Sequence, residues 1–158
     1  MVVIIDVTGI PGAQGSKAFK GVRNGRAVMV ESSAKVKPWR QDVVAAALAE
    51  LGRKSRPAFA NAVIVYLTFR FTRPKSHYGT GRNAGVLKDS APKFPTSRAL
   101  GDADKLARST LDALVTAGVL ADDSLVVDLN VRKRYSDTPG ARIQVLSATP
   151  LISEGPNA

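Results

Sequence analysis

The hydrophobic pattern of the first third of the chain predicts strands followed by one helix. Residues 2–7 form a short apolar run that ends in a stretch rich in Gly and Pro, as strands commonly do. Asn24-Gly25 is a favoured two-residue turn between two short segments, which predicts a β-hairpin. In "PWRQDVVAAALAELG" apolar residues recur at helical spacing, Pro38 suits a first turn and Gly52 suits a C-terminal stop, so we expect a helix there.

The middle of the chain predicts a central strand and a second helix. Over residues 63–71 apolar positions alternate, and the first half is apolar on both faces, which is typical of a strand in the middle of a sheet. A helix is expected over residues 105–117, with Asp104 as its N-cap and Gly118 as its stop. The residues expected on its inner face are Leu106, Thr110, Leu111 and Leu114.

Two more strands complete the pattern. Residues 125–132 alternate as an amphipathic strand, with Leu125, Val127, Leu129 and Val131 on the apolar side, and residues 141–149 predict the last strand. Because strands outnumber helices, we expect a single small α+β domain over residues 1–150, with two main helices packed on a mixed sheet. Residues 151–158 are expected to be a frayed tail.

Residues 73–101 show no sustained periodicity. The segment holds six Lys or Arg residues, one acid and three prolines. A loop of this length within a compact domain is unusual, and such loops are either functional or disordered. We expect a mobile basic arm that becomes ordered on DNA. The alternative is a solvated insertion without a role.

The charge balance narrows the class of partner. The chain carries 23 Lys and Arg against 13 acids, a net charge of +10, which favours nucleic acid as partner over a generic basic protein kept soluble by charge. No cysteine is present and there is one His, which excludes a disulfide framework and zinc sites built from Cys or several His. With no long apolar run and no basic leader, we expect a soluble cytoplasmic protein without a membrane partner.

Against this basic background, acids gather between residues 102 and 123. Asp102 and Asp104 are two apart, so in an extended chain their side chains share one face, about 7 Å apart at the backbone. Such a pair can hold a hard cation, and Mg²⁺ is often held by one or two carboxylates plus substrate phosphates. Asp123 would complete the site. Lys105 and Arg108, on the first helical turn, are candidates for offsetting charge on a reacting phosphate.

Each of these acids also has an ordinary structural explanation. A lone D-x-D pattern is common by chance, and Asp104 could serve only as a helix cap. Asp112 follows Arg108 by one turn, which suits an ion pair on the helix surface. Asp122 could be a turn residue. Spacing alone leaves both interpretations open.

The combined pattern "DADKLARSTLDALVTAGVLADDSLVVDLNVRK" resembles the RusA family of Holliday junction resolvases. The shared elements are D-x-D, an apolar residue, a "DAL" helix, an acidic pair and a strand that ends in Lys. The resemblance implies a homodimeric, Mg²⁺-dependent endodeoxyribonuclease, in which Mn²⁺ can substitute, that nicks four-way DNA junctions in recombination and repair. It implies a nucleoid-associated enzyme, with a phage or prophage as the expected source. The implied metal-binding catalytic acids are Asp102, Asp104 and Asp123.

Two positions depart from the family pattern. Lys105 stands where the family typically has Asn, and Arg108 stands where it typically has a catalytic Lys. Arg keeps the charge but holds it in a planar fork and does not release a proton. The sequence therefore leaves open which of the two cations fills the catalytic role.

Further basic residues are expected to contact DNA phosphates without reading sequence. Tyr78 or Phe94 could stack on bases at the junction centre, although a loop aromatic is as often simply packed. Trp39 is expected in the core and His77 outside the catalytic machinery. The expected DNA-binding residues are Lys17, Lys20, Arg23, Arg73, Lys75, Arg82 and Lys133.

The spacing of the acids limits how one site can be built. A helix over residues 105–117 carries the chain roughly 20 Å away from Asp104. Residues 118–122 can span at most about 17 Å on the way back. Either the chain returns almost straight, or Asp123 comes from the partner subunit of the dimer. Two other functions stay open as well, namely non-catalytic binding of branched DNA and a Mg²⁺ nuclease acting on flaps or forks.

Overall fold

The computed structural model describes residues 1–15, 17–31, 33–53 and 57–148, and the expected tail at 151–158 lies outside them. The order of strands and helices follows the prediction closely. The structure is α+β, with two helices and a mixed sheet. The elements are β1 (Val2–Thr8), β2 (Lys17–Arg23), β3 (Arg26–Glu31), α1 (Val36–Leu51), β4 (Val63–Phe71), α2 (Ala103–Thr116), β5 (Val126–Tyr135) and β6 (Gly140–Ser147).

The main sheet has the strand order β1-β6-β4-β5. Strand β6 runs antiparallel to β1 and β4, whereas β5 runs parallel to β4. Strand β4 therefore lies in the middle, as its apolar character predicts. Strands β2 and β3 form a separate hairpin, and Asn24 (φ 50) and Gly25 (φ 73) supply the two positive φ angles of its turn.

Both helices cover one face of this sheet, and Trp39 connects the layers. Its side chain is fully buried, with a ring centroid 6.2 Å from that of Phe69 on β4. The indole Nε1–H donates to Thr110 Oγ1 on α2 at 3.0 Å. The expected core position of Trp39 is confirmed, and so is the inner face of α2, because Leu106, Thr110, Leu111 and Leu114 are all buried.

Strand β5 lies at the sheet edge and is only half covered. It runs three residues past the prediction, and the predicted apolar side is wrong at Val127, which is 65% exposed. A register shift opposite the start of β4 explains this, because it removes Val127 from the alternation. From there on, Leu129, Lys133 and Tyr135 pair with buried residues of β4 and point to the helix-covered face.

The basic segment over residues 73–101 contains more local structure than its pattern predicts. It holds three short 3₁₀ helices, Lys75–His77, Gly81–Asn83 and Arg98–Leu100. The Gly79 N–H donates to the Val86 carbonyl and the Lys88 N–H to the His77 carbonyl, both at 2.9 Å. Turns of this kind leave no periodicity in the sequence, so the hydrophobic pattern does not reveal them. Among the described residues, no helix has the length and apolar character needed to cross a membrane.

Candidate active site

The acidic segment enters α2 through a tight turn at Gly101. This residue has φ +90, and a Cβ there would collide with the Cβ of Ala13. Its carbonyl accepts a 2.8 Å hydrogen bond from Lys133 Nζ on β5. Helix α2 begins at Ala103, two residues before the prediction, so the N-cap position belongs to Asp102 and Asp104 lies in the first turn. The expected extended face shared by these two acids is therefore wrong.

Asp102, at the N-cap of α2, forms an ion pair with Lys105 in the first turn of the helix. Lys105 Nζ lies 2.9 Å from Asp102 Oδ2, and both side chains are exposed. The hydrogen bond and the charge of Lys105 hold the pKa of the Asp102 carboxyl below its usual value, with smaller contributions from Lys133 and Arg98. The same pair raises the pKa of Lys105. The Lys105 ammonium is thus engaged by Asp102.

Asp104 and Asp123 line one cavity of about 400 Å³. Arg108, one helical turn after Asp104, lines it as well, and Leu129 of β5 lies on its wall. Within the described part of the chain, the Arg108 guanidinium forms no ion pair. The cavity therefore combines two exposed carboxylates with one unpaired guanidinium.

A straight return of the chain from α2 brings Asp123 to this cavity. After α2, Gly118 has φ +73 and ends the helix as predicted. Residues 118–121 then run beside residues 57–60, where the Phe59 N–H donates to the Val119 carbonyl at 2.9 Å and the Ala121 N–H to the Phe59 carbonyl at 3.0 Å. One chain can therefore bring both Asp104 and Asp123 to the same cavity.

The three implied metal ligands do not meet at one point. Over residues 1–148, apart from the undescribed positions 16, 32 and 54–56, no three His, Cys, Asp or Glu side chains are grouped as metal ligands. Asp102 lines a neighbouring cavity, and Lys105 lines both that cavity and the one of Asp104 and Asp123. Two carboxylates on an open cavity nevertheless suit Mg²⁺, which is commonly held by one or two carboxylates plus substrate phosphates. Asp104 and Asp123 fit such a metal.

Gln14 is a cavity residue that the sequence pattern does not reveal. Gln14 lines the cavity, and its side-chain Oε1 is buried and has no hydrogen-bond partner among the described residues. Its backbone N–H donates to the Lys105 carbonyl at 3.0 Å, which fixes it beside α2. A buried carbonyl oxygen without a partner is costly, and this one belongs to a residue that lines the cavity of Asp104 and Asp123.

The remaining acids of the segment have structural roles. Asp112 bonds to Arg40 of α1 at 2.6 Å, so the predicted pair between Asp112 and Arg108 is wrong. The Asp122 carboxylate accepts the Ser124 N–H at 2.9 Å, which confirms its turn role. Hydrogen bonds from Ser124 also lower the pKa of Asp122.

The predicted DNA contacts occupy several surfaces. Lys20 and Arg23 are exposed on the hairpin, and Lys75 and Arg82 are exposed on the 3₁₀ helices of the basic segment. Two others make internal contacts: the Arg73 guanidinium lies 4.1 Å from the Tyr135 ring centroid, and Lys133 bonds to Gly101. The side chain of Lys17 lies outside the described part of the structure.

Comparison with known proteins identifies the family. No curated protein matches the chain. The family model for the endodeoxyribonuclease RusA matches residues 9–146 of the 158-residue chain, from the glycine after β1 to the end of β6. This range includes the acidic segment, the cavity and both helices. The chain therefore belongs to the RusA family of endodeoxyribonucleases, which are Holliday junction resolvases.

Proposed function

We propose that this protein resolves four-way DNA junctions in recombination and repair by paired, Mg²⁺-dependent nicks, with Mn²⁺ able to substitute. The observation that carries the proposal is the cavity in which Asp104, Asp123 and Arg108 of one chain meet. Two carboxylates offer oxygen ligands to a hard cation, and a guanidinium offers a partner to phosphate. The net charge of +10 supports attraction of DNA to this surface.

Asp104 and Asp123 would hold the metal, and Gln14 lines the same cavity. When bound, a divalent cation supplies a nucleophilic water at neutral pH and neutralises charge on a phosphoryl oxygen. The two carboxylates are exposed, so a phosphodiester has direct access to them. Asp102 is held beside this cavity by Lys105.

Arg108 is the better candidate for stabilising the reacting phosphate. Its planar fork can donate to two phosphate oxygens at once, and it has no competing ion pair among the described residues. Lys105, in contrast, is engaged by Asp102 at 2.9 Å. Because Arg does not release a proton, the leaving oxygen would take its proton from water in this exposed cavity.

Separate substitutions of Arg108 and Lys105 distinguish the roles of these two side chains. We expect Arg108→Ala to slow single-turnover junction cleavage by about a hundredfold, the usual effect of losing a donor to developing charge. Lys105→Ala should have a smaller effect on the rate and should raise the pKa of Asp102 towards its usual value, measurable by carboxyl NMR without metal. Arg53→Ala, at an exposed position beyond α1, serves as control. A larger loss of rate in Lys105→Ala than in Arg108→Ala contradicts this assignment.

We further propose a homodimer. Resolving a junction requires cuts on two opposed strands, which two copies related by a two-fold axis supply. Since Asp104 and Asp123 line one cavity within a single chain, each subunit would make one of the two cuts.

Cleavage of a synthetic four-way junction tests the proposed function. The junction is incubated with Mg²⁺ or EDTA in the presence of linear duplex, flap or fork competitors. We expect paired nicks near the crossover with Mg²⁺ only, and competition by the junction far above that by the other DNAs. Binding without cleavage under any divalent cation indicates a non-catalytic junction-binding protein, and preferred cleavage of flaps or forks indicates a nuclease of different specificity.

A further inference from the structure

We propose that a second cavity, at the C-terminal ends of β4 and β5, binds one unpaired nucleotide of the DNA substrate, with Phe94 stacking on its base. The proposal rests on the proposed function only in that DNA is the substrate. The cavity measures about 320 Å³, near the lower end of the range for small-ligand pockets. Its walls come from the strand ends and from the basic segment that passes over them.

One wall of this cavity is held in place by internal contacts. The Arg73 guanidinium lies 4.1 Å from the Tyr135 ring centroid, and the His77 ring meets the same ring edge-on at 5.6 Å and 90°. Arg73 Nη1 also donates to the Pro92 carbonyl at 2.7 Å. Through Arg73, these contacts connect Pro92, two residues before Phe94, to Tyr135 at the end of β5. The wall is therefore formed before any ligand arrives, which lowers the entropic cost of binding.

The cavity also presents an exposed aromatic ring and basic side chains. The Phe94 side chain is 54% exposed, so it is not a packed core residue. Lys93 Nζ lies 5.9 Å from the Phe94 ring centroid. Arg134 lines the cavity and forms no ion pair among the described residues. An exposed aromatic ring beside cations is the arrangement that binds single-stranded DNA, because every base has a face for stacking and is linked to phosphates.

The charge of the lining agrees with this ligand. Arg73, Lys93 and Arg134 contribute three positive charges, and the exposed Asp137 contributes one negative charge. The cavity thus attracts a phosphate while its aromatic walls receive the base. A wholly apolar ligand would leave these charged groups without partners.

Strand β5 connects this cavity to the acidic one. Leu129 lines the Asp104–Asp123 cavity, and Tyr135 lines the second cavity on the same face of the strand. Tyr135 follows Leu129 by six positions, which corresponds to about 20 Å along a strand. That equals about six steps of a DNA strand, so one bound DNA can reach both cavities. Because unpairing a base costs energy, the second cavity selects DNA in which a base is already unpaired or is easily unpaired, as at the crossover of a branched DNA.

Fluorescence of 2-aminopurine tests the proposal without cleavage. The probe is placed as a single bulged nucleotide in a duplex, and binding is measured in EDTA. We expect wild-type protein to quench the probe. Phe94→Ala should remove the quenching and weaken binding of the bulged DNA by about fivefold or more, while affinity for fully paired duplex stays the same. Phe94→Trp should retain both the quenching and the affinity for bulged DNA. Val86 is an exposed apolar residue of the same segment, so Val86→Ala is the matched control.

Phe94→Leu keeps apolar bulk without a ring, so it should behave like Phe94→Ala. Arg134→Gln should reduce the salt dependence of binding by about one unit of slope. Wild-type quenching and affinity in Phe94→Ala overturn the nucleotide site, whether or not the protein cleaves junctions. Loss of quenching in Phe94→Ala, in a protein that cleaves no branched DNA with Mg²⁺, supports the nucleotide site and refutes the nuclease proposal.

Discussion

Asp104→Asn is expected to abolish junction cleavage, with a fall of at least about a hundredfold in single-turnover rate in Mg²⁺. Asn keeps the shape of the side chain but removes the anionic oxygen that a hard cation prefers. Asp104 is exposed in the first turn of α2, so the fold should persist. Loss of its charge near the helix N-terminus should cost no more than about 1 kcal/mol of stability.

Metal binding and junction binding separate the possible causes of that loss. In calorimetry, Mn²⁺ should bind wild-type protein and bind Asp104→Asn much more weakly, whereas junction affinity in EDTA should not fall. Asp89→Asn removes an exposed acid of the basic segment and should leave metal binding and cleavage as in wild type. Full cleavage by Asp104→Asn refutes the assignment of Asp104 as a metal ligand.

Trp39→Ala is expected to lower the free energy of unfolding by about 3–5 kcal/mol, the usual cost of deleting a large buried aromatic side chain. Trp39 is fully buried, packs against Phe69 of β4 and donates to Thr110 of α2. Its removal leaves a cavity where α1, α2 and the sheet meet. Urea unfolding followed by circular dichroism measures the loss.

Trp39→Phe is the control for this prediction. A phenyl ring retains most of the packing and lacks only the indole N–H, so the loss should be clearly smaller. Thr110 Oγ1 also donates to the Leu106 carbonyl at 2.9 Å, so it is not left without a partner. A loss below about 1 kcal/mol for Trp39→Ala contradicts the view that Trp39 joins the layers.

The sequence predicts those parts of the fold that local physics determines. The alternation of apolar residues within β4 is enough to predict that strand. Asn24 and Gly25 predict the hairpin turn because both residues readily adopt the positive φ angles that it requires. The inner face of α2 follows from spacing in the same way. Gly118 ends α2 for a local reason as well, because its φ of +73 suits Gly.

The details of the site depend on contacts between distant residues. The start of α2 is set by the turn at Gly101, which packs on Ala13 and is bonded by Lys133. Both aspartates in "GDAD" suit an N-cap, and the sequence does not distinguish them. The prediction of Asp104 as N-cap is therefore wrong, because the structure has Asp102 at this position. Likewise Asp112 pairs with Arg40, which is distant in the chain, rather than with its helical neighbour Arg108. Gln14 has no recognisable signal in the sequence and lines the cavity of Asp104 and Asp123 only because folding brings it beside α2.

The most direct test of a site built within one chain is a subunit-mixing experiment with Asp104→Asn and Asp123→Asn. Each variant alone should be inactive. If one chain provides both acids, every subunit of a mixed dimer carries a defect, and mixing should restore no cleavage. Exchange of subunits is verified by mixing wild type with excess Asp104→Asn, which should convert paired cuts into single nicks. Recovery of nicking in the mixture of the two variants would contradict the account, because it would show that Asp123 acts from the partner subunit.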